Sequence, residues 1–241
     1  MAIFLTEDRW NIARGIVKDT SFINKYGAVP AMSQNTTGSV WDVSDTVYPW
    51  ATLNGSAHTL TIDCASADEV GHHVTIQGLD ANWNLLTETV TLSSQTGNTT
   101  TNQFMRVYNA YYTDGSASTN TGNIDIKIGA TVVARILAGA GITKMAVYTV
   151  PAGYTAYVVQ GVASIQAGAD ATGNMFVRQT GNVNFRIAHT FEVSGTGGTY
   201  TYTFPFPVAI PEKSDIDVRA TVRSNNARLT ATFDLLLIKN D

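Results

Sequence analysis

Hydrophobic and polar residues alternate with a period of two along most of the chain after about residue 57. Because successive side chains of a strand point to opposite faces of a sheet, this period predicts half-buried β-strands. Between about 57 and 137 the runs 74–78 and 86–92 flank a polar turn at 80–84, which predicts a hairpin. We expect this region to form a small antiparallel sandwich or barrel.

A second group of alternating runs begins near Lys144, after the glycine-rich connection 138–142. Its connections are short and rich in Gly, Pro, Ser and Asn, which suit tight turns. The runs predict seven strands, at 145–150, 156–166, 175–179, 182–193, 199–206, 215–222 and 229–238. Short strands joined in this way are typical of a jelly roll or a related sandwich. The aromatic stripe from Tyr200 to Phe206 is expected to lie in its core.

Residues before about 54 show no sustained period of two. A short helix is predicted to begin at Thr6 and to end near Lys18. The stretch after it contains Trp41 and Trp50, which look exposed because no apolar period surrounds them. Two interpretations are open: the stretch wraps its own domain, or it is an arm that docks on a neighbouring subunit.

The predicted fold is all-β, with two antiparallel β-sandwich modules, a short N-terminal helix and an extended arm. The predicted parts are the helix and arm (1–54), the first sandwich (55–140) and the second, jelly-roll-like sandwich (141–241). Only 14% of the residues are charged, against about a quarter in an average soluble domain. Ser, Thr, Asn and Gly supply the polarity, as on sheets whose outer faces carry hydroxyl groups.

The net charge of -4 gives no basic surface for a phosphate backbone, so nucleic acid is not an expected partner. No apolar run has the length of a membrane span or a signal peptide, so we expect no membrane partner and synthesis in a cytoplasm. Cys64, the single cysteine, is expected to be a small core residue.

No set of residues predicts catalysis, a cofactor or a metal site. His72 and His73 are adjacent in a predicted strand and point to opposite faces, so they are not expected to share a metal ion. Asp215 and Asp217 share a strand face but have no neighbouring histidine or glycine loop to complete a catalytic set. These two acids, like Asp42 and Asp45 in the arm, are expected to be solvated. We therefore predict a protein without enzymatic activity.

Aromatic residues are the remaining candidates for contact with other molecules. Trp83 projects from the predicted hairpin turn, where it has no obvious core to enter, and Tyr108, Tyr111 and Tyr112 crowd one strand end. The candidates for an interface are Trp10, Trp41, Trp50, Trp83, Tyr111 and Tyr112.

Three stretches carry a resemblance to a known group of proteins. WDVSDTVYPWATLNGSAHTLTI at 41–62, VTIQGLDANWNLLTETVTL at 74–92 and KMAVYTVPAGYTAYVVQGVASI at 144–165 resemble virion structural proteins of tailed bacteriophages, especially those of marine and cyanobacterial hosts. The resemblance implies a location in the virion after synthesis in the host cytoplasm. It also implies a homotrimer in contact with other virion proteins such as the major capsid protein.

The leading hypothesis is a capsid decoration or cement protein, which stabilises the head through contacts between subunits. Within the virion, the alternative is a tail, connector or receptor-binding component. An alternative from another class is a carbohydrate-binding module that holds a host surface glycan through Trp83 and the tyrosine cluster. A glycan depolymerase ranks last.

Overall fold

The protein is described by a computed structural model over residues 6–114, 119–195 and 198–241. Within these ranges it has one α-helix, α1 (Thr6–Ala13), a short 3-10 turn at Ala67–Glu69, and sixteen strands. The strands are β1 (Thr20–Met32), β2 (Thr37–Ser39), β3 (His58–Cys64), β4 (His73–Leu79), β5 (Leu85–Thr91), β6 (Asn98–Phe104), β7 (Arg106–Thr113), β8 (Ile124–Ile128), β9 (Thr131–Ile136), β10 (Val147–Thr149), β11 (Tyr154–Ile165), β12 (Ala171–Arg178), β13 (Arg186–Val193), β14 (Thr199–Ile210), β15 (Asp215–Val222) and β16 (Ala227–Lys239). The expected all-β architecture is confirmed. No helix in the described ranges is long and apolar enough to cross a membrane.

The C-terminal part of the chain, together with β1 and β2, forms a sandwich of two antiparallel sheets. Sheet A has the strand order β1-β16-β11-β14. Sheet B has the order β10-β15-β12-β13, and β2 also pairs with β15. β10 lies opposite residues 215–217 and β2 opposite residues 219–221, so the two follow one another along one edge of β15. They act together as one interrupted edge strand.

The pairing in this sandwich is that of a jelly roll. With β2 and β10 counted as one position, the sandwich has eight strand positions in chain order. The first pairs with the eighth, the second with the seventh, the third with the sixth and the fourth with the fifth. Nested pairing of this kind arises when a long hairpin is rolled into two facing sheets. The predicted jelly-roll-like sandwich is therefore present.

The first sandwich is an insertion into this jelly roll, between β2 and β10. Sheet C has the order β6-β3-β8-β9, and sheet D has the order β5-β4-β7. Alternate residues point into the space between the two sheets, as Leu60, Ile62 and Cys64 of β3 do. Each sandwich thus has its own hydrophobic core.

Residues 20–39 do not form the predicted arm. β1 pairs with β16 from Thr20 opposite Ile238 onwards, which makes it part of sheet A. A Cβ at Gly27 would lie 2.0 Å from the Val40 carbonyl oxygen, so glycine is needed where the connecting chain crosses β1. The stretch packs on its own chain, as the first of the two interpretations has it. The predicted boundary at residue 54 is corrected accordingly, because the jelly roll begins with β1.

Candidate functional site

The two sandwiches meet at a cluster of buried charges. Asp215, the first residue of β15, is 2% exposed, and Arg106, the first residue of β7, is 4% exposed. Arg106 Nε donates to Asp215 Oδ1 at 2.8 Å, and Arg178 Nη2 donates to Oδ2 at 2.6 Å. Thr149 Oγ1 also donates to Oδ1, at 2.7 Å. We call Arg106, Arg178 and Asp215 the arginine cluster; it joins the inserted sandwich to the jelly roll.

Local packing fixes the position of Arg106. A Cβ at Gly78 of the neighbouring strand β4 would lie 2.0 Å from the Arg106 carbonyl oxygen, so glycine allows the two strands to approach here. Arg106 Nη1 donates to the carbonyl oxygens of Leu53 and Met105. The guanidinium group therefore bonds to Asp215 and to two carbonyl groups, which compensates for its burial.

Aromatic rings and guanidinium groups alternate across the junction. Arg106 lies 4.7 Å from the Trp83 ring centroid and 5.8 Å from that of Trp50. Arg178 continues the series, 5.7 Å from Trp50 and 4.9 Å from Phe185. At the far end Arg219 lies 4.7 Å from Phe185 and 4.8 Å from Phe176. Contacts of this geometry are attractive, and more so when they are shielded from water.

Asp217 is a second buried acid beside the cluster, and none of its surface is exposed. Trp50 Nε1 donates to its Oδ2 at 2.8 Å, and Arg219 Nε donates to the same oxygen at 2.7 Å. Burial raises the pKa of Asp217, and the charge of Arg219 opposes that rise. The prediction that Asp215 and Asp217 are solvated is wrong, because β15 is an inner strand with partners on both sides.

The opposite side of the junction holds two buried ionisable groups that form no ion pair within the described ranges. Lys25 on β1 is 7% exposed, and its Nζ donates to the Tyr108 carbonyl oxygen of β7. Burial lowers the pKa of Lys25 to about 7. Asp42 is 3% exposed, and its Oδ2 accepts a hydrogen bond from the Lys144 backbone N–H at 2.5 Å. Burial raises the pKa of Asp42 to about 7, against the opposing hydrogen bond from Lys144.

Asp42 was predicted to be solvated, and its burial corrects that prediction. The physical reason is that Val40, Trp41 and Asp42 are buried where the chain leaves β2, whereas residues 45–47 are exposed. Asp45 does lie near the surface, where its carboxylate accepts from the Ser33 backbone N–H at 2.7 Å and from Ser33 Oγ at 2.6 Å. We call Lys25, Asp42 and Tyr108 the lysine side of the junction.

The arrangement of the arginine cluster suits a structural role. Both oxygens of Asp215 accept from arginine, so this carboxylate is not free to take a proton from a substrate. In the described part of the chain, no group of three or more His, Cys, Asp or Glu residues could hold a metal ion. His72 and His73 have separate neighbours: the His72 ring lies 5.8 Å from that of Tyr112, and His73 Nδ1 lies 3.1 Å from Thr91 Oγ1.

Trp41 and Trp50 are not surface residues, contrary to the prediction from sequence. They are 2% and 5% exposed, respectively. Between them lies Tyr48, whose ring centroid is 5.1 Å from that of Trp41 and 4.7 Å from that of Trp50, both in edge-on geometry. The three rings fill the space between the sandwiches, so these tryptophans offer no surface to another subunit.

The other predicted interface residues differ in exposure. Trp10 on α1 is 70% exposed, whereas Tyr112 is 6% exposed and belongs to the core of the inserted sandwich. Tyr111 is half-buried. Trp83 has the left-handed backbone angle φ 66° at the hairpin turn, and its carbonyl oxygen accepts from the Ala152 backbone N–H at 2.9 Å. The turn therefore contacts the jelly roll, and the Trp83 ring packs on Arg106 instead of projecting into solvent.

Three large apolar side chains on the edge strands β13 and β14, or in the loop before β13, are strongly exposed. Val183 is 85% exposed, Ile187 58% and Phe206 88%. We call these three residues the edge patch. Phe206 lies between Pro205 and Pro207 in an irregular part of β14, where the register with β11 shifts. Since proline has no backbone N–H, this part of the edge is a poor template for another strand.

The aromatic stripe of β14 is only partly in the core, which corrects the prediction for two of its members. Tyr202 is 37% exposed and Phe206 is 88% exposed, because β14 is the edge strand of sheet A and no strand of the described residues lies beyond it. Tyr200 and Phe204 pack against the jelly-roll core. His189 of β13 closes the space between the sheets: its Nε2 lies 2.8 Å from Tyr200 Oη.

The outer face of sheet A contains few charges. We call four rows of neighbouring residues across the sheet the sheet A face: Phe22, Leu236, Tyr157 and Ala209; Asn24, Asp234, Gln160 and Thr203; Tyr26, Thr232, Val162 and Thr201; and Ala28, Thr230, Ser164 and Thr199. Asp234 is the one charged residue among these sixteen. Phe22 and Tyr26 are 49% and 37% exposed.

The outer face of sheet C is of the opposite kind. Lys127 forms an ion pair with Asp63, and Arg135 Nε donates to Asp125 Oδ1 at 2.5 Å. All four side chains remain about one-quarter exposed. A sheet face with paired charges of both signs is well adapted to water.

Comparison with known proteins gives only distant similarities. No protein-family model and no curated protein matches the chain. Among solved structures, a chain of the naturally occurring empty particles of cowpea mosaic virus is similar at 9% identity and a TM-score of 0.23, over 76% of this chain and 82% of that one. Chains from infectious bursal disease virus are similar at 10% identity and a TM-score of 0.19 for the Gx strain, over 92% of this chain and 76% of that one. The chain of the Gt strain is similar at 12% identity and a TM-score of 0.20, over 92% of this chain and 74% of that one. TM-scores this low do not establish a common fold.

Proposed function

We propose that this protein is a structural subunit of a virion, and specifically a capsid decoration or cement protein. The observation that supports this most is the edge patch, in which Val183, Ile187 and Phe206 are each more than half exposed on one side of the jelly roll. Large apolar side chains exposed on a surface are typical of protein–protein contact sites. The resemblance of three stretches to tailed-phage virion proteins supports a location in the virion.

The rest of the molecule is compatible with this role. The ion pairs of the arginine cluster connect the two sandwiches, which suits a subunit that must keep its shape in an assembled particle. A jelly roll alone would not indicate a virion, because the same architecture occurs in lectins and in cupin enzymes. Tail, connector and receptor-binding roles use the same kind of surface, so the site of binding on the particle must be measured.

The carbohydrate-binding alternative loses its main support. Its proposed platform, Trp83, is half-buried and lies 4.7 Å from the Arg106 guanidinium group, which covers part of the ring. Tyr112 is buried as well. No other observation favours a glycan site over a protein contact.

The test is binding of the purified protein to phage particles assembled without it. The wild-type protein should sediment with these particles, and electron microscopy should show it on the head. Replacing Phe206 with Ser should weaken binding by about tenfold or more, because an exposed aromatic residue at the centre of a contact often contributes over 1.4 kcal/mol.

The matched control is Leu85→Ser, since Leu85 is 58% exposed on the inserted sandwich, away from the edge patch. Both variants should melt at the wild-type temperature. Wild-type protein that fails to bind any part of the particle would overturn the proposal. Binding at the tail tip alone would favour the receptor-binding alternative instead.

A further inference from the structure

We infer that the sheet A face pairs with the same face of a second copy, so that two subunits join about a two-fold axis. The inference deepens the proposed function and rests on it for its biological purpose. It uses a different surface, because the edge patch lies at the side of the jelly roll and the sheet A face lies on its outside.

Charge is the first argument for a protein partner at this face. Asp234 is the one charged residue among the sixteen of the sheet A face, whereas the described face of sheet C carries two ion pairs. Depletion of charge with exposed aromatic residues such as Phe22 and Tyr26 is the composition of an interface centre. A face without basic residues offers nothing to nucleic acid or to an anionic membrane surface.

Four polar side chains of the face are paired with one another within the chain. Asn24 Nδ2 donates to Asp234 Oδ1 at 2.5 Å, and the hydroxyl groups of Ser164 and Thr230 lie 2.7 Å apart. These four groups therefore keep a hydrogen bond when the face is covered by another surface. The Asn24 amide donates to the single carboxylate of the face, Asp234, which lowers the cost of removing that carboxylate from water.

The available area is that of a small contact between copies. The four strands are about 19 Å wide at 4.8 Å per strand, and the seven residues from Phe22 to Ala28 extend about 24 Å. Two such faces bury roughly 900 Å² in total, which is the size of a weak interface. A nearly neutral face is compatible with an isologous two-fold contact, in which both copies present the same surface.

Face-to-face packing is favoured over extension of the sheets. β14 forms one edge of sheet A, and Pro205 and Pro207 remove backbone donors from it. At the other edge, β1 contains Pro30 and follows α1. Two copies that stack through sheet A instead form an intermolecular sandwich, with the sheets about 10 Å apart.

The test is the mass of the purified protein by size-exclusion chromatography with light scattering, from about 1 to 100 µM, the range expected for an interface of this size. The expected mass at the upper end is twice the 25.8 kDa of one chain. Thr232→Lys, at the middle of the face on β16, should weaken dimerisation at least about tenfold, because each lysine would face its own copy. Thr201→Lys, at an exposed edge-strand position, should act in the same direction.

The matched control is Thr61→Lys on β3, a half-buried threonine of an inner strand on the outer face of sheet C. This variant should dimerise as the wild type does. A monomer at 100 µM, a trimer such as the resemblance implies, or a dimer that Thr232→Lys leaves intact would each overturn the inference. Particle binding reports separately on the proposed function: a monomer that still decorates particles through Phe206 would reject only the sheet A contact.

Discussion

The two sides of the junction between the sandwiches bury their charges in different ways. On one side Asp215 is shared by Arg106 and Arg178, and every charged group has a partner of opposite sign. On the lysine side, Lys25 bonds to a carbonyl oxygen and Asp42 to a backbone N–H. Neither of these two groups has an ion pair among the described residues.

Because of this difference, the stability contributed by the lysine side depends on pH. Burial moves the pKa values of Lys25 and Asp42 to about 7, so both change charge near neutrality. The lysine side of the junction therefore contributes differently to stability on either side of pH 7.

Removing the shared acid should have the largest effect. In Asp215→Ala, the guanidinium groups of Arg106 and Arg178 stay buried without their counter-ion. We expect the free energy of unfolding to fall by about 3–5 kcal/mol, as for other broken buried ion pairs. Urea unfolding followed by tryptophan fluorescence measures it, since Trp50 and Trp83 stack on these arginines.

The control for this variant is Asp63→Ala on sheet C, which removes the partner of Lys127 from a pair that is about one-quarter exposed. Its loss should cost less than about 1 kcal/mol. Equal losses in the two variants would show that the arginine cluster does not hold the sandwiches together.

Replacing the buried lysine should raise the free energy of unfolding, whereas Asp215→Ala lowers it. The pKa of Lys25 is about 7 in the folded protein and near 10.5 in the unfolded chain, so the unfolded state binds more protons between these values. The cost of burying the charge is fully present below pH 7 and disappears as the pH rises towards 10.5. Lys25→Met should therefore raise the free energy of unfolding by about 1–3 kcal/mol at pH 6, less the lost hydrogen bond to Tyr108.

At pH 9.5 the free energy of unfolding of the same variant should exceed that of the wild type by much less. Urea titrations of wild type and variant at the two pH values give the difference directly. A gain that does not change with pH would mean that the pKa of Lys25 is not lowered in the folded protein, and the assigned cause would be wrong.

Much of the fold follows from the alternating pattern. The run predicted at 215–222 coincides with β15, because the apolar residues Ile216, Val218, Ala220 and Val222 alternate with polar residues. β1 was missed because Gly27 and Pro30 interrupt its pattern and Lys25 points inward, so a strand of sheet A resembled an irregular arm. β6 was missed because its sequence, NTTTNQF, is almost entirely polar. The helix begins where predicted but ends at Ala13, well before Lys18.

The site could not be predicted in the same way. Arg106 and Asp215 are 109 residues apart, and their contact depends on the insertion of one sandwich into the other. Residue type also misled the prediction, since aspartate in a strand usually marks a solvated edge. One local signal does exist. Arg106 and Arg178 each adjoin a valine within a strand, and a charged residue at an inward position of such a run requires a buried partner.

Replacing the buried aspartate should give the smallest change. The pKa of Asp42 is about 7 in the folded protein and near 3.8 in the unfolded chain. The folded state therefore binds more protons between these values. Stability due to this group therefore falls as the pH rises from 3.8 to 7 and stays low above it. Asp42→Asn should raise the free energy of unfolding by about 1 kcal/mol at pH 8 and by almost nothing at pH 4.5, because Asn keeps an acceptor for the Lys144 N–H but loses the attraction of the Lys144 charge.

The pH dependence distinguishes the two groups of the lysine side. Lys25→Met gains most at low pH, whereas Asp42→Asn gains most at high pH, so the double variant should be nearly as stable at pH 6 as at pH 8. His189, whose pKa burial lowers from 6.5, makes stability rise with pH up to that value and is unchanged in every variant. A residual slope below pH 6.5 in the double variant is therefore expected from His189. A residual slope above pH 7 would point to another buried group and would contradict the assignment of the lysine side.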